Sequence, residues 1–132
     1  MKWKIILLSI VLSLLGSVIS GCSADNSSAT AAGGIQVYYE ALIAKDADQL
    51  INSSCADWEA QAQLELESFG AVKAELQGLQ CTETGQDGET TIVSCSGTIK
   101  AAYGNEILEI NLADRQYLAV YEGNEWRMCG YR

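Results

Sequence analysis

Residues 99–128 read IKAAYGNEILEINLADRQYLAVYEGNEWRM. Three turn dipeptides, Gly104-Asn105, Ala113-Asp114 and Gly123-Asn124, divide this stretch into four segments in which apolar and polar residues alternate. Alternation with a period of two is typical of strands that bury one face, and short Gly- or Asn-containing turns are typical of hairpin loops. The stretch therefore predicts four antiparallel strands joined in sequence order.

The spacing of these turns tests the register of the strands. If each dipeptide is a two-residue loop, apolar residues meet apolar residues across every strand pair. The predicted pairs are Ile99 with Ile110, Ala101 with Leu108, Leu108 with Ala119, Ile110 with Tyr117, Ala119 with Met128, and Tyr121 with Trp126. Because facing residues of antiparallel strands lie on the same face of a sheet, all of them share one apolar face. A curved sheet with one buried face follows.

Residues 35–69 have a helical period instead. A short second helix containing Leu50 and Ile51 follows the first, and Asp46 or Asp48 is its expected cap. The apolar faces consist of Ile35, Tyr38, Tyr39, Leu42 and Ile43 in the first helix, and of Trp58, Ala62, Leu66 and Phe69 in a third helix from about Ala56 to Ser68. Helices followed by a strand meander predict an α+β domain, with the N-terminal helices packed on one face of a curved antiparallel sheet.

The N-terminus has the pattern of an export signal. Lys2 and Lys4 precede an apolar run over residues 5–19, which is shorter than the roughly 20 residues of a membrane-spanning helix. The segment Ile19-Ser20-Gly21-Cys22 resembles the lipobox of bacterial lipoproteins, in which the cysteine thiol receives a diacylglyceryl group and the chain is cleaved just before it. The resemblance implies a signal peptide over residues 1–21. It also implies a membrane anchor of acyl chains such as palmitate on Cys22, on the extracytoplasmic side of the bacterial cell envelope. An ordinary signal peptide with a coincidental cysteine is the alternative.

Residues 22–34 consist mainly of small and polar residues and predict a flexible tether, which leaves residues 35–132 as one domain. Loss of Lys2 and Lys4 with the signal peptide makes the formal net charge more negative by two, from −9 to −11. Phosphate binding needs a basic face, so nucleic acid is not an expected partner. An acidic domain is also repelled by anionic lipid, so the anchor on Cys22 must hold it at the membrane.

With Cys22 assigned to lipid, the four remaining cysteines predict two disulfides, for which three pairings are possible. Cys81 and Cys95 are equidistant from Gly88, so an odd loop of about three to five residues places them opposite each other. Cys55–Cys129 then follows by elimination. A zinc site is the alternative, but the chain has no histidine and no C-x₂-C spacing. No metal or other cofactor is expected.

The same hairpin needs a change of register. Ala74 and Leu76 join the apolar face of the sheet only if the pairing moves by one residue. Gly78 and Gly97 lie where a β-bulge would produce that shift, because glycine is common at bulges.

Two segments carry a wider resemblance. They are Tyr38-Tyr39-Glu40-Ala41-Leu42 with Lys45-Asp46, and Tyr117-Leu118-Ala119-Val120-Tyr121 leading through Gly123-Asn124 to Trp126-Arg127-Met128-Cys129. With them, the chain from about Ile35 to Arg132 resembles NTF2-like, or SnoaL-like, cone domains, and in particular small bacterial lipoproteins that contain one. The resemblance implies a conical pocket between helices and sheet. The four cysteines depart from the pattern of cytosolic members, and a cystatin-like fold with the same layout is the structural alternative.

The candidate residues for lining that pocket are Tyr38, Tyr39, Trp58, Tyr103, Tyr117, Tyr121, Trp126 and Met128. They predict either a filled core or an apolar ligand site in which tyrosine hydroxyls orient the ligand. No catalytic residue is expected, because a cavity enzyme needs a base facing the cavity and the chain has no histidine. The helical carboxylates Asp46, Asp57, Glu59 and Glu65 are expected to lie mostly on the solvent side.

The expected function is therefore a lipid-anchored binding or interaction module for a small apolar ligand or an envelope protein. The alternatives are a cavity enzyme of isomerase or dehydratase type and a structural accessory of an envelope complex. An open apolar pocket without a base favours the module. An open pocket with a desolvated carboxylate near a tyrosine favours the enzyme, and a filled cavity with an exposed apolar patch favours the accessory.

Overall fold

A computed structural model describes residues 27–132 of the chain. The predicted signal peptide and the predicted lipidation of Cys22 lie outside the described residues, as does the first part of the predicted tether. Among the helices within residues 27–132, none is long and apolar enough to cross a membrane.

Three α-helices precede the sheet: α1 (Ala31–Ala44), α2 (Ala47–Asn52) and α3 (Glu59–Phe69). The Asp46 side chain accepts a hydrogen bond from the Gln49 backbone N–H and caps α2, so of the two predicted candidates Asp46 and Asp48 it is Asp46 that caps the helix. Lys45 takes the left-handed conformation at the end of α1, with φ 57°, so the chain turns sharply from α1 into α2. A 3₁₀ turn over Ala56–Trp58 leads into α3.

The sheet contains five antiparallel strands: β1 (Lys73–Asp87), β2 (Thr90–Tyr103), β3 (Glu106–Asn111), β4 (Gln116–Glu122) and β5 (Glu125–Tyr131). The order across the sheet is β1-β2-β4-β5, and β3 pairs with β2. The long strand β2 therefore has two partners on one edge, β4 along its first half and β3 along its second. The helices cover one face of this sheet, which confirms the predicted α+β arrangement.

Two of the three predicted hairpins have the expected register. Ile99 pairs with Ile110 across the Gly104-Asn105 turn, and Ala119 pairs with Met128 across the Gly123-Asn124 turn. The prediction at Ala113-Asp114 is wrong, because β3 and β4 do not pair. A 3₁₀ turn over Leu112–Asp114 separates them, and β4 pairs instead with the start of β2. The strands β3 and β4 thus share one long partner.

The β1–β2 hairpin brings Cys81 opposite Cys95, and a disulfide joins them. The predicted odd loop is wrong: Asp87 pairs with Thr90 across a two-residue turn, and an irregularity after Glu83 supplies the extra residue. A second shift of register follows Gln77, at the predicted bulge. There Gly97 has φ 115°, and a side chain on Gly97 would clash with the backbone of Gln77 and Gly78.

The second disulfide joins Cys55 to Cys129, the pairing expected by elimination. It lies where the segment after α2 pairs with β5: the Cys55 N–H donates to the Met128 carbonyl at 2.8 Å, and the Met128 N–H donates to the Ser53 carbonyl at 2.8 Å. The disulfide therefore ties the helical layer to the last strand.

The packed part of the chain begins earlier than predicted. The Thr30 hydroxyl accepts a hydrogen bond from the Gly33 N–H and caps α1, so residues 31–34 belong to a helix and not to a flexible tether. Gly33 and Gly34 are buried, and a methyl group on Gly34 would overlap the Trp126 carbonyl. The small residues that suggested flexibility instead allow α1 to lie close to β5.

Candidate ligand cavity

A cavity of about 190 Å³ lies between the helices and the concave face of the sheet. Its volume is comparable to that of an engineered cavity of about 150 Å³ that holds benzene, so it is suited to a molecule with one ring. Helices α1 and α3, strands β2 to β5 and the 3₁₀ turn after β3 all contribute to its wall. The lining residues are Tyr39, Leu42, Glu65, Phe69, Ile99, Ile110, Leu112, Arg115, Tyr117 and Tyr131.

A second depression, of about 460 Å³, lies between residues 27–28, the second half of α1 and the start of α2, and opens more widely to solvent. Ser27, Glu40, Asp46 and Gln49 are among its lining residues, so its wall is more polar. An open, polar depression buries little of a ligand, whereas small-molecule sites are mostly enclosed and apolar. The cavity between helices and sheet is therefore the candidate functional site.

Helical spacing explains how two helices supply the top of the cavity. Glu65 and Phe69 in α3 are four residues apart, and Tyr39 and Leu42 in α1 are three apart, so each pair lies on one face of its helix. Leu42 is fully buried and Tyr39 nearly so. The apolar faces of α1 and α3 thus turn toward the sheet and close the cavity from one side.

Glu65 accepts a hydrogen bond from the buried Tyr38 hydroxyl, whose oxygen lies 2.7 Å from Glu65 Oε2. The indole Nε1–H of Trp58 donates to the same Tyr38 hydroxyl at 3.3 Å. Burial raises the pKa of Tyr38 well above its ordinary value of 10.0, and the hydrogen bond to Glu65 raises it further. Tyr38 therefore remains a neutral donor that holds the carboxylate in place.

Tyr117 makes a hydrogen bond and a ring contact in the same wall. The Tyr117 hydroxyl donates to the Leu112 carbonyl at 2.8 Å, and the Tyr39 and Tyr117 rings meet edge to face with centroids 5.4 Å apart. Burial is the main cause that raises the pKa of both hydroxyls. The Tyr117 hydroxyl bonds to the protein itself, so its ring mainly presents carbon surface to the cavity.

Tyr131 and Arg115 form the outer part of the wall. The Arg115 guanidinium carbon lies 4.2 Å from the centroid of the Tyr131 ring, a favourable cation–π arrangement. Burial and the nearby Glu65 raise the pKa of Tyr131, while Arg115 opposes them. Arg115 is exposed and Glu65 half-buried, so the positive charge lies nearer the solvent than the negative one.

The structure brings only part of the predicted pocket lining into the cavity wall. Tyr39 and Tyr117 line it, while Tyr38 and Trp58 lie behind Glu65 and position it. Met128 is fully buried in the core, whereas Tyr103 and Tyr121 are exposed. Trp126 is half-buried and packs edge to face against Tyr121. Both exposed tyrosines lie at hairpin ends, beyond the reach of the helices that cover the sheet.

Sequence reasoning missed Glu65, which was expected on the solvent side of the third helix. Its position is three residues after Ala62 and four before Phe69, both of which belong to the predicted apolar face. The spacing therefore contained the signal, but a charged residue at the border of an apolar face is more often solvated. Glu65 faces the interior because the buried Tyr38 hydroxyl supplies a hydrogen-bond donor there.

Arg115 and Tyr131 were also missed. They lie far apart in the sequence, and they meet because β4 and β5 pair and the C-terminal residue Arg132 returns to Gln116, with backbone N–H to O distances of 2.8 and 2.9 Å. Within residues 27–132, no group of three or more His, Cys, Asp or Glu side chains could hold a metal ion.

Two solved structures share the fold. A SEC-C motif containing protein from Rhodopseudomonas palustris matches with a TM-score of 0.57 and 13% identity, over 80% of each chain. A protein from Shewanella frigidimarina that was proposed to be a ketosteroid isomerase matches with a TM-score of 0.52 and 11% identity, over 79% of this chain and 94% of that one. No protein-family model and no curated protein sequence matches this chain. The neighbours therefore establish the fold alone, an α+β cone of the NTF2-like kind.

Proposed function

We propose that this chain is a lipid-anchored, extracytoplasmic binding module whose cavity takes one small, ring-sized molecule. The observation that carries the proposal is the open cavity of about 190 Å³ between the helices and the sheet, whose wall is mostly apolar and aromatic and includes one carboxylate and one guanidinium. An apolar wall with a few placed polar groups is the usual character of small-molecule sites.

The lipid anchor is proposed from the sequence Ile19-Ser20-Gly21-Cys22. The two disulfides support a location outside the cytoplasm, because disulfides persist in oxidising compartments. The acidic domain gives no basic surface for anionic lipid, so the acyl chains on Cys22 would provide the attachment to the membrane.

Mass spectrometry of the native protein, extracted from membranes without reduction, tests the anchor. A chain that begins at acylated Cys22 and is four hydrogens lighter than its reduced form is expected. The variant Cys22→Ser is the control, and it should carry no acyl group. An unmodified Cys22 in the wild-type protein contradicts the anchor.

Binding in the cavity is tested with toluene, which matches the size and apolar character of the wall. Saturation-transfer NMR should show contact between toluene and the protein, and the variant Leu42→Trp, which fills the cavity, should reduce it. Equal saturation transfer in the two proteins contradicts the assignment of the cavity. Near-ultraviolet circular dichroism checks that the variant keeps the native packing.

A cavity enzyme of the isomerase type is the second candidate, and Glu65 is the observation that favours it. Proton abstraction next to a carbonyl needs a base that faces the substrate, and Glu65 lines the cavity beside the Tyr38 hydroxyl. The test is the conversion of 3-cyclohexenone to its conjugated isomer, followed by ultraviolet absorbance. Turnover by the wild-type protein that is lost in Glu65→Gln supports an enzyme, and a rate no greater than that of buffer excludes this reaction.

The third alternative, a structural accessory of an envelope complex, predicts a filled cavity together with an exposed apolar patch. Tyr103, Ile107 and Leu108 are indeed exposed at the end of the β2–β3 hairpin. The cavity is open, however, and an accessory would not need it. The binding module accounts for the open cavity. Glu65 departs from the base-free pocket expected for a module, but it is only half-buried, whereas the enzyme predicts a desolvated carboxylate, so the binding module is the function that we propose.

A further inference from the structure

The chemistry of the ligand follows from the two charged groups in the cavity wall. Glu65 and Arg115 both line the cavity, but among the described residues they do not form an ion pair with each other. The charge of the ligand therefore depends on which of the two side chains still has hydrogen-bonding sites free for it.

Glu65 keeps capacity to accept hydrogen bonds. A carboxylate offers about four acceptor sites. The Tyr38 hydroxyl takes one on Oε2 at 2.7 Å, and Tyr131 lies close enough for Glu65 to raise the pKa of its hydroxyl. Sites remain for a donor that arrives from the cavity. Because the carboxylate is half-buried and held from behind by Tyr38, it is already oriented to receive that donor.

Arg115 is already engaged by the protein. Its guanidinium stacks over the Tyr131 ring, with the guanidinium carbon 4.2 Å from the ring centroid. The side chain is exposed, so any anion that it attracted would remain near water, where an ion pair contributes little. Arg115 therefore closes the outer wall and offers no buried site for a carboxylate.

The other residues of the cavity wall also favour a positively charged ligand. The rings of Tyr39, Phe69, Tyr117 and Tyr131 all contribute to it, and aromatic rings attract organic cations. The chain as a whole is acidic, with a formal net charge of −9, so its long-range field attracts cations and repels anions.

We infer that the cavity selects a ring-sized molecule that carries a protonated amine, which donates to Glu65 while its ring packs among the aromatic and aliphatic side chains. This inference rests on the proposed binding function, because it names the ligand class of that same cavity. A carboxylate of equal size would place its charge against Glu65 and is disfavoured.

Four probes of nearly equal shape test the inference: benzylamine, benzyl alcohol, toluene and benzoate. The mature protein, purified from membranes in detergent, is titrated with each probe, and dissociation constants are measured by saturation-transfer NMR against a detergent blank. Benzylamine is expected to bind about tenfold or more tighter than benzoate, since hydrogen bonds to charged groups are the stronger class. Benzyl alcohol should fall between them.

The variant Glu65→Gln should reduce the preference for benzylamine over benzoate to about twofold, and toluene, which carries no charge, reports any change in the shape of the cavity. The matched control is Glu67→Gln, which removes the same charge from an exposed position on the same helix and should keep the preference. A wild-type protein that binds benzoate as tightly as benzylamine overturns the inference. A Glu65→Gln protein that keeps the full preference also overturns it.

The outcomes separate this inference from the proposed function. If toluene binds but the amine has no advantage, the ligand class is wrong and the binding module stands. If none of the four probes binds, both are wrong. Loss of toluene binding in Glu65→Gln would mean that the carboxylate supports the shape of the cavity and does not select a charge, which also overturns the inference.

Discussion

Replacing Tyr38 with Phe tests the hydrogen bonds that hold Glu65 in the cavity wall. Tyr38 is fully buried, and its hydroxyl takes part in two hydrogen bonds, to Glu65 at 2.7 Å and from Trp58 at 3.3 Å. Phenylalanine fills nearly the same volume, so no cavity is created. The change therefore isolates the hydroxyl.

The magnitude follows from the two partners. A hydrogen bond to a charged group contributes about 1.5–3 kcal/mol, and an unpaired buried donor costs about 1–3 kcal/mol. Glu65 and Trp58 are both half-buried, so water compensates part of the loss. We expect Tyr38→Phe to lower the free energy of unfolding by about 2 kcal/mol, which corresponds to a fall of roughly 10 °C in Tm for a domain of this size.

The assay is equilibrium denaturation in urea without reductant, so that both disulfides persist. Tyr121→Phe is the control, because Tyr121 is 59% exposed and removal of its hydroxyl should change stability by no more than about 0.5 kcal/mol. The double variant Tyr38→Phe with Glu65→Gln should lose less than the sum of the single losses, since the two residues interact directly. Equal stability of Tyr38→Phe and Tyr121→Phe would refute the assigned network.

Three further predictions concern the fold. Gly34→Ala should lower the free energy of unfolding by more than about 1 kcal/mol because its methyl group overlaps the Trp126 carbonyl, although alanine normally stabilises a helix. Gly85→Ala, where the nearest atom is 3.7 Å away, is the neutral control. Equal urea midpoints for the two variants would contradict the close approach of α1 and β5. The free energy of unfolding should be level from pH 7 to 9 and fall above pH 10. The folded chain raises the pKa values of four tyrosines, Tyr38, Tyr39, Tyr117 and Tyr131, so the unfolded chain, with pKa values near 10, loses these protons first. Urea titrations that show no loss of stability at pH 11 would argue against burial of these hydroxyls. Removing the Cys55–Cys129 disulfide, with a sequence separation of 74, should lower stability more than removing Cys81–Cys95, with a separation of 14. Loop entropy predicts losses of about 4.5 and about 3 kcal/mol, which paired Cys→Ala variants measure in urea. A larger loss for Cys81–Cys95 would show that the unfolded chain is not the main source of the stabilisation.

Predictions from the sequence succeeded where partners are close along the chain. The hairpin at Gly104-Asn105 and the hairpin at Gly123-Asn124 have the predicted register, because a two-residue loop leaves its flanking strands only one way to pair. The Ala113-Asp114 prediction failed for the opposite reason. That dipeptide lies within a 3₁₀ turn, and β4 found a partner in the first half of β2, more than twenty residues earlier.

The cavity was predictable only in outline. Tyr39 and Tyr117 were expected in its wall and line it, because large aromatic residues on the buried face of a helix or strand remain inside whatever the detailed packing. Tyr103 and Tyr121 satisfied the same pattern but are exposed. Alternation along a strand specifies the face of a side chain, whereas the extent of the helical layer decides whether that face is covered at a given position.

The conformational preferences of neighbouring residues account for the two layers, the acidic cap of α2 and the places where two hairpins turn, and these features could be predicted. Packing of the folded domain settled two others: residues 31–34 are helical, and Glu65 meets Tyr38 beside the cavity. Those outcomes depend on the docking of α1 and α3 against the sheet. Docking brings together residues such as Gly34 and Trp126, or Tyr38 and Glu65. These residues are far apart along the chain, so their contact depends on the packing of the whole domain.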